Sequence, residues 1–293
     1  MYVSNLISEP IVSVLMTAYN REVYITEAIE SILASTYANF ELIIVDDHSI
    51  DNTVNIARSF GERDERIKVF VNEKNLGDYP NRNKAASYAK GSFLMYVDSD
   101  DTIQPEAISY IVDSFNEFPE AQHSTIYYSK DITEKMLMSS SVAIRKHFFE
   151  NNMLACGPGA RVFRKSYYFK MNGYPEDYGP ANDMYFNIKT ASNAPILLMP
   201  YSYLNYRIHN QQENKNQYAY LYQGYKYFDN AMKLPELPLT IKERNYLLLK
   251  SKRRFLINTI KYLKRTGNIL KMLKAFKLAN FGFKDILLAI FQF

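Results

Sequence analysis

A chain of 293 residues, 47% of them hydrophobic, is long enough to bury a sizeable core and falls outside the disordered class. A single cysteine, Cys156, excludes an intramolecular disulfide framework and fits the reducing interior of a cell; with no basic N-terminal segment followed by a long apolar run, and no run of roughly 18 apolar residues anywhere, neither a signal peptide nor a spanning helix is expected. The formal net charge of +4 is unevenly distributed, because 13 Lys and Arg face two Asp and Glu from Ile241 onward, putting about +11 there and about −7 on the rest, so the two parts should meet different partners.

Through the first half, short apolar runs alternate with helical patterns, the signature of strands joined by crossover helices in a largely parallel sheet. Ile11 to Met16 reads as a buried strand running into the polar turn Thr17-Ala18-Tyr19-Asn20-Arg21. Beyond the turn, Ile25, Ala28, Ile29, Ile32 and Leu33 recur at helical spacing and predict one apolar stripe packed on the sheet. Phe40 to Val45 is a second strand ending at Asp46-Asp47, and Asp51 is placed to cap a short helix from Thr53 to Arg58. Ile67 to Val71 reads as a third strand, Asn81 to Ala89 as a helix, and Ser92 to Val97, entered through Gly91, as a fourth strand. That strand ends at Asp98-Ser99-Asp100-Asp101, and Pro105 opens the next helix, where its missing N–H costs nothing. Residues 120 to 210 are less regular, with Gly157-Pro158-Gly159 and Gly173-Tyr174-Pro175 marking loops. Lys233 to Leu239, with Pro235 and Pro238, reads as a linker, which divides the chain into an α/β body over 1–232 and a basic amphipathic helical tail over 233–293.

Ligands of an open parallel sheet bind outside the carboxyl ends of its strands, and Thr17 to Tyr19, Asp46-Asp47 and Asp98 to Asp101 all fall at such ends. Carboxylates crowded together repel one another unless a cation compensates them. Oxygen-only ligands favour a hard divalent ion, Mg²⁺ or Mn²⁺, which commonly bridges a protein carboxylate to a diphosphate. The competing reading of the same tetrapeptide is a solvated turn in which an aspartate caps the following helix.

Three segments in order, Val12-Ser13-Val14-Leu15-Met16-Thr17-Ala18-Tyr19-Asn20, Ile44-Val45-Asp46-Asp47-His48-Ser49-Ile50-Asp51-Asn52-Thr53 and Tyr96-Val97-Asp98-Ser99-Asp100-Asp101, resemble family 2 glycosyltransferases. The resemblance covers roughly residues 10 to 210 and implies a GT-A fold: a Rossmann-like, largely parallel central sheet flanked by helices, with the basic helical extension outside it. It implies that Thr17 and Tyr19 line a nucleotide pocket, that Asp47 binds the base, usually uracil, and that Asp98, with Ser99 in the same nucleotide-sugar-binding set, faces the ribose or donor sugar. Asp100, the second aspartate of the family's D-x-D motif, is the implied metal ligand. The residues agree, since an ionised Asp47 suits the uracil N–H and the Tyr19 ring offers a stacking face.

Asn75-Leu76-Gly77 followed by Arg82-Asn83-Lys84 resembles the segment in which the family's arginine reaches the diphosphate or base, so Arg82 is the expected phosphate cation; a surface salt bridge is its plainer alternative. Asp78-Tyr79-Pro80 departs from the family's small residues. Sugar transfer needs a base for the acceptor hydroxyl. Asp183, in Gly179-Pro180-Ala181-Asn182-Asp183, resembles the family's Glu-Asp position with Asn182 replacing the first acid; Glu176 and Asp177 are rivals, and capping of the next helix is the alternative role. Tyr206-Arg207-Ile208-His209-Asn210 resembles a later motif whose histidine approaches the metal or diphosphate, making His209 a second candidate ligand.

The expected reaction is therefore an inverting, metal-assisted single displacement that moves a sugar, hexosyl or N-acetylhexosaminyl, from a UDP-sugar to a saccharide or lipid-linked saccharide hydroxyl in bacterial polysaccharide biosynthesis. In the tail, Leu249, Leu256, Ile260 and Leu263 share a helical face while Lys250, Arg253, Arg254, Lys261 and Lys264 occupy much of the remainder. Such a helix suits an anionic membrane surface on the cytoplasmic side, or packing on the body or a second subunit as a homodimer. A nicotinamide dehydrogenase is disfavoured because the first strand meets no glycine-rich turn, and a nucleic-acid partner because it leaves the acidic strand ends unexplained. A transferase-like scaffold that binds nucleotide without turnover is the nearer rival, because Asn182 touches the catalytic region.

Overall fold

The computed structural model describes residues 12–130, 132–208 and 217–291. In chain order the elements are β1 (Val12–Ala18), α1 (Ile25–Leu33), β2 (Phe40–Asp46), α2 (Thr53–Gly61), β3 (Ile67–Val71), α3 (Asp78–Tyr88), β4 (Phe93–Tyr96), β5 (Thr102–Ile103), α4 (Ala107–Glu117), β6 (His123–Ile126) and β7 (Met136–Met138). They continue as α5 (Ser140–Lys146), β8 (Arg161–Arg164), α6 (Lys165–Lys170), α7 (Asn182–Asn193), β9 (Ile196–Met199), β10 (Leu204–Asn205), α8 (Gln217–Ala231), α9 (Ile241–Thr266), α10 (Ile269–Leu278) and α11 (Phe283–Phe291). The chain divides into two compact units, one of Met1–Leu137, Gly157–Tyr174 and Ile196–Arg207, the other of Met138–Cys156, Pro175–Pro195 and Ile208–Phe293.

The first unit is built on an eight-stranded sheet in the order β3-β2-β1-β4-β8-β6-β9-β7. Strands β3, β2, β1 and β4 run parallel, β8 runs antiparallel to both β4 and β6, and β6 is parallel to β9. Apolar residues fill both faces of β1 and β2, as expected of parallel strands covered by helices on either side. The predicted α1 stripe is realised, with Ile25, Ala28, Ile29 and Ile32 fully buried in one core with Leu42, Ile44, Met95 and Ile111. Full burial of each such isoleucine is worth about 1.5–3 kcal/mol.

Two of the boundaries that differ from the sequence reading have consequences for the strand ends. β1 continues through Thr17 and Ala18, which pair with Val45 and Asp46 of β2, so these motif residues sit inside the ladder. α3 starts at Asp78 because Pro80 stands in its first turn, where no N–H is needed, after Gly77 at φ +89°. Since β1 lies between β2 and β4, the carboxyl ends of all three strands are neighbours.

The second unit is helical. Tyr225 of α8 and Phe255 of α9 stack at 5.0 Å between ring centroids, and Phe281 meets both rings edge-on. Helix α9 opens with a capping box between Thr240 and Glu243 and closes at Gly267 with φ +65°. Its buried positions are Leu247, Phe255 and Thr259, while Ile260 of the stripe expected from sequence is exposed. The segment from Lys233 to Leu239 is a folded turn with Leu234, Leu237 and Leu239 buried, and the Arg244 guanidinium donates to the carbonyls of Met232, Leu234, Leu237 and Leu239. Among the described residues no helix is long and apolar enough to cross a membrane.

Candidate active site

Pairing of β1 with β2 and β4 brings the three polar strand ends of the first unit together. The Asp47 N–H donates to the Ala18 carbonyl at 2.7 Å, and the Ser99 hydroxyl donates to the Thr17 carbonyl at 2.8 Å. Arg21 links the same turns, its Nε donating to Asp100 at 2.9 Å and its Nη1 to the Tyr19 carbonyl at 3.0 Å. Asn20 and His48 hold the tight turns in the left-handed region, at φ +54° and +69°. Asn tolerates that conformation because its amide replaces lost local bonds; here Asn20 Oδ1 accepts from the Ile50 N–H at 3.0 Å. Tyr19 is 45% exposed, so its ring is available to a ligand.

The aspartates at the end of β2 are buried and held by the protein. Asp46 accepts from the Ser49 N–H at 2.8 Å and the Ser49 hydroxyl at 2.5 Å, while burial raises its carboxyl above the ordinary range. Asp47 accepts from Asn72 Nδ2 and from the Leu76 and Gly77 N–H groups, each at 2.8 Å. A carboxylate has about four acceptor positions, so roughly one remains for a base. Asn72 also donates to Asn81 Oδ1 at 2.9 Å, and Asn81 donates to the Val45 carbonyl at 2.9 Å. This buried amide chain fixes the loop carrying Gly77, and the sequence reading missed it.

At the end of β4, Asp98, Asp100 and Asp101 each present a carboxylate oxygen within 4.8 Å of the others. Arg82 donates to Asp98 at 2.7 Å and to Asp78 at 2.8 Å, with its guanidinium 5.7 Å from the Tyr96 ring centre. The expected phosphate cation is thus beside Asp98, but it is buried and already shared between two carboxylates. Asp101 is 2% exposed and accepts from the Arg207 N–H at 3.0 Å. Burial pushes its carboxyl up to about 7, and the neighbouring Asp98 and Asp100 push in the same direction.

Arg21 and Arg82 therefore supply part of the compensation that the sequence reading assigned wholly to a metal. Arg21, the one cation of the strand-end turn, is the site residue that reading overlooked. Three carboxylates this close, one of them hard to ionise, still form an all-oxygen donor set that fits a hard divalent cation.

Asp183 belongs to the second unit, in the first turn of α7. Its Oδ1 accepts from the Met184 N–H at 2.7 Å. Asn182 is buried, and its Oδ1 accepts from the Tyr178 N–H at 2.9 Å, closing the turn before the helix. The Arg207 guanidinium is directed to Glu27 at 2.6 Å and lies over the Tyr24 ring. His209 lies outside the described residues.

The family model described as "Glycosyl transferase family 2" matches residues 13–171. An uncharacterized glycosyltransferase of Haemophilus influenzae is 28% identical over 222 residues, 69% of this chain and 67% of that protein. A Campylobacter jejuni protein named GalNAc(5)-diNAcBac-PP-undecaprenol beta-1,3-glucosyltransferase is 28% identical over 186 residues, 61% of this chain and 60% of its own. The crystal structure of Staphylococcus aureus TarS 1-349 in complex with UDP-GlcNAc superposes with a TM-score of 0.72 at 20% identity, over 95% of this chain and 81% of that one.

Proposed function

Because this chain belongs to glycosyl transferase family 2, with the GT-A fold, we propose that it transfers a sugar from a UDP-sugar to a hydroxyl of a saccharide or lipid-linked saccharide during cell-surface polysaccharide synthesis. The carrying observation is the set of three carboxylates within 4.8 Å at the end of β4, a segment hydrogen-bonded to the end of β1, which is itself bonded to the end of β2. The UDP of the TarS complex and the undecaprenol-linked substrate named for the Campylobacter relative support the donor and acceptor classes.

In this reading Thr17, Tyr19 and Asp47 receive the nucleotide, with uracil stacked on the exposed Tyr19 ring and its N–H directed to the remaining acceptor position of Asp47. Asp98 and Ser99 face the ribose or donor sugar, and Arg82 adds positive charge beside the diphosphate. Asp100 and His209 are the assigned ligands of Mn²⁺ or Mg²⁺, with Asp98 and Asp101 beside Asp100. Such an ion, when bound, stabilises the negative charge that develops on the departing diphosphate. Asp183 takes the proton of the acceptor hydroxyl as that oxygen attacks the anomeric carbon, and a single displacement of this kind inverts the centre. The exposed apolar residues Leu270, Leu273, Phe283 and Phe291, among the lysines of 241–293, favour peripheral attachment of the tail to an anionic membrane on its cytoplasmic face.

Asn182 in place of an acid favours one second reading, a scaffold that binds nucleotide without turnover. Hydrolysis of UDP-GlcNAc and UDP-glucose in Mn²⁺ separates the two. The transferase reading expects slow release of UDP that disappears in Asp183→Asn while UDP affinity is kept. UDP release at an equal rate in the variant, or no UDP binding at any Mn²⁺ concentration, would sink it.

A further inference from the structure

The helical unit contains a cleft of about 640 Å³ whose lining has no assigned role. One wall is a stripe of α9, on which Ser251, Arg254, Asn258, Lys261 and Arg265 recur at spacings of three and four residues and so share an edge of the helix. The opposite wall is apolar and aromatic, with Leu221, Tyr220, Tyr227 and Phe228 of α8. Among the described residues no carboxylate lines the cleft. Arg254, Lys261 and Arg265 are exposed, and among the described residues none of them enters an ion pair. Their neighbours on α9 are engaged: Arg244 caps four backbone carbonyls, Lys252 pairs with Asp285 at 2.8 Å, and Arg253 donates to the Ala289 carbonyl at 3.2 Å.

Three like charges gathered on one edge repel each other, and a multivalent anion relieves that repulsion. Two guanidiniums are suited to phosphate oxygens in a fork, and the facing rings and leucine suit an apolar or glycosyl attachment. The volume exceeds what inorganic phosphate needs and lies in the range of sites that enclose a larger ligand. We propose that this cleft binds the diphosphate of an isoprenoid-linked acceptor, with Arg254, Lys261 and Arg265 on the phosphates and the aromatic wall against the first isoprene units. The identity of the ligand rests on the transferase reading above, whereas its chemistry, a diphosphate with an apolar substituent, rests on the cleft.

Calorimetric titration of the full chain with farnesyl diphosphate, farnesol, inorganic pyrophosphate and UDP tests the assignment, comparing the native chain with R254Q/K261Q/R265Q. The expected result is farnesyl diphosphate binding that is displaced by pyrophosphate, weakens at least tenfold in the variant, and exceeds farnesol binding by at least tenfold. UDP affinity should be the same in both chains, which also reports that the variant is folded. Equal farnesyl diphosphate affinity in the two chains overturns the proposal, as does competition by UDP that persists in the variant. Flotation on phosphatidylglycerol vesicles identifies a bilayer partner: flotation lost in the variant with farnesyl diphosphate affinity unchanged overturns the diphosphate assignment in favour of a membrane surface. If UDP binds neither chain while farnesyl diphosphate still requires the three cations, the cleft stands and the transferase reading fails.

Discussion

In the sheet unit Asp46, Asp47, Asp101, Arg82 and Arg161 are all buried, whereas among the described residues of the helical unit no carboxylate or guanidinium is buried and the cleft cations Arg254, Lys261 and Arg265 are exposed. A buried charge must find its partner as the chain folds, or the desolvation cost is not recovered. Its position is then fixed before any ligand arrives, as at Arg82 between Asp78 and Asp98. An exposed cation carries no such obligation and can wait for a mobile counter-charge. The strand-end site is accordingly a preorganised one whose charges constrain each other, and the α9 cleft is one whose charges are balanced from outside.

Removing a charge should therefore affect chemistry in the first unit and anchoring or stability in the second. The largest effect is expected at Asp100→Asn, which keeps the side-chain shape but removes the charge proposed to hold the metal: turnover of the UDP-sugar should fall on the order of 10³-fold, about 4 kcal/mol of transition-state stabilisation. Initial rates over a Mn²⁺ series check it, and a variant that retains a tenth of native activity would remove Asp100 from the metal site. The counterpart in the helical unit is Arg244→Ala, which leaves four carbonyls without their donor and should destabilise the unit by about 2–3 kcal/mol in urea. UDP affinity in native conditions should not change.

Sequence alone revealed the first unit as far as β4, because β1, β2 and β3 are predominantly apolar runs bounded by polar turns, and α1 carries a stripe at strict helical spacing. Beyond β4 the strands shorten to four residues or fewer, and β8 joins antiparallel between two parallel groups, a pairing that no local pattern encodes. At the site, each acidic strand end was visible because it follows an apolar run. Arg21 was not read as a partner of Asp100 because the two residues are 79 apart, and only the β1–β4 pairing brings them together. The Asn72–Asn81 bond was hidden for a similar reason: two amides in polar surroundings give no signal until the chain folds over them. In the tail, Leu249, Leu256 and Leu263 of the expected face are half-buried and Leu256 packs on the aromatic cluster, but its centre is Phe255, whose ring has Tyr225, Phe276 and Phe281 to pack against.

A pH titration reads the helical unit through one buried imidazole. His147 is buried in the helical unit, and burial lowers its imidazole to about 4. The unfolded chain takes up this proton from about pH 6.5 downward while the folded chain stays neutral, so stability is lost as pH falls between about 6.5 and about 4 and no further below. Between pH 6.5 and pH 5 the loss should reach about 1.5 kcal/mol. Urea midpoints at those two pH values, compared with His147→Gln, provide the check: a variant that loses as much as the native chain would assign the acid sensitivity elsewhere.

The smallest effect tests the comparison most directly, because it asks whether the strand-end arginines act as internal stand-ins for the metal charge. Arg21 and Asp100 are 20% and 14% exposed at their side chains and meet at 2.9 Å, so an incoming cation must share the carboxylate or displace the guanidinium. Arg21→Gln removes that competitor without changing the donor set, and Mn²⁺ should bind about five- to tenfold more tightly, a gain of about 1–1.4 kcal/mol. A Mn²⁺ titration followed by electron paramagnetic resonance reads the free ion. If affinity falls in the variant, Arg21 orients Asp100 for the metal instead of competing with it, and the pairing in the sheet unit is a positioning device with no stand-in role.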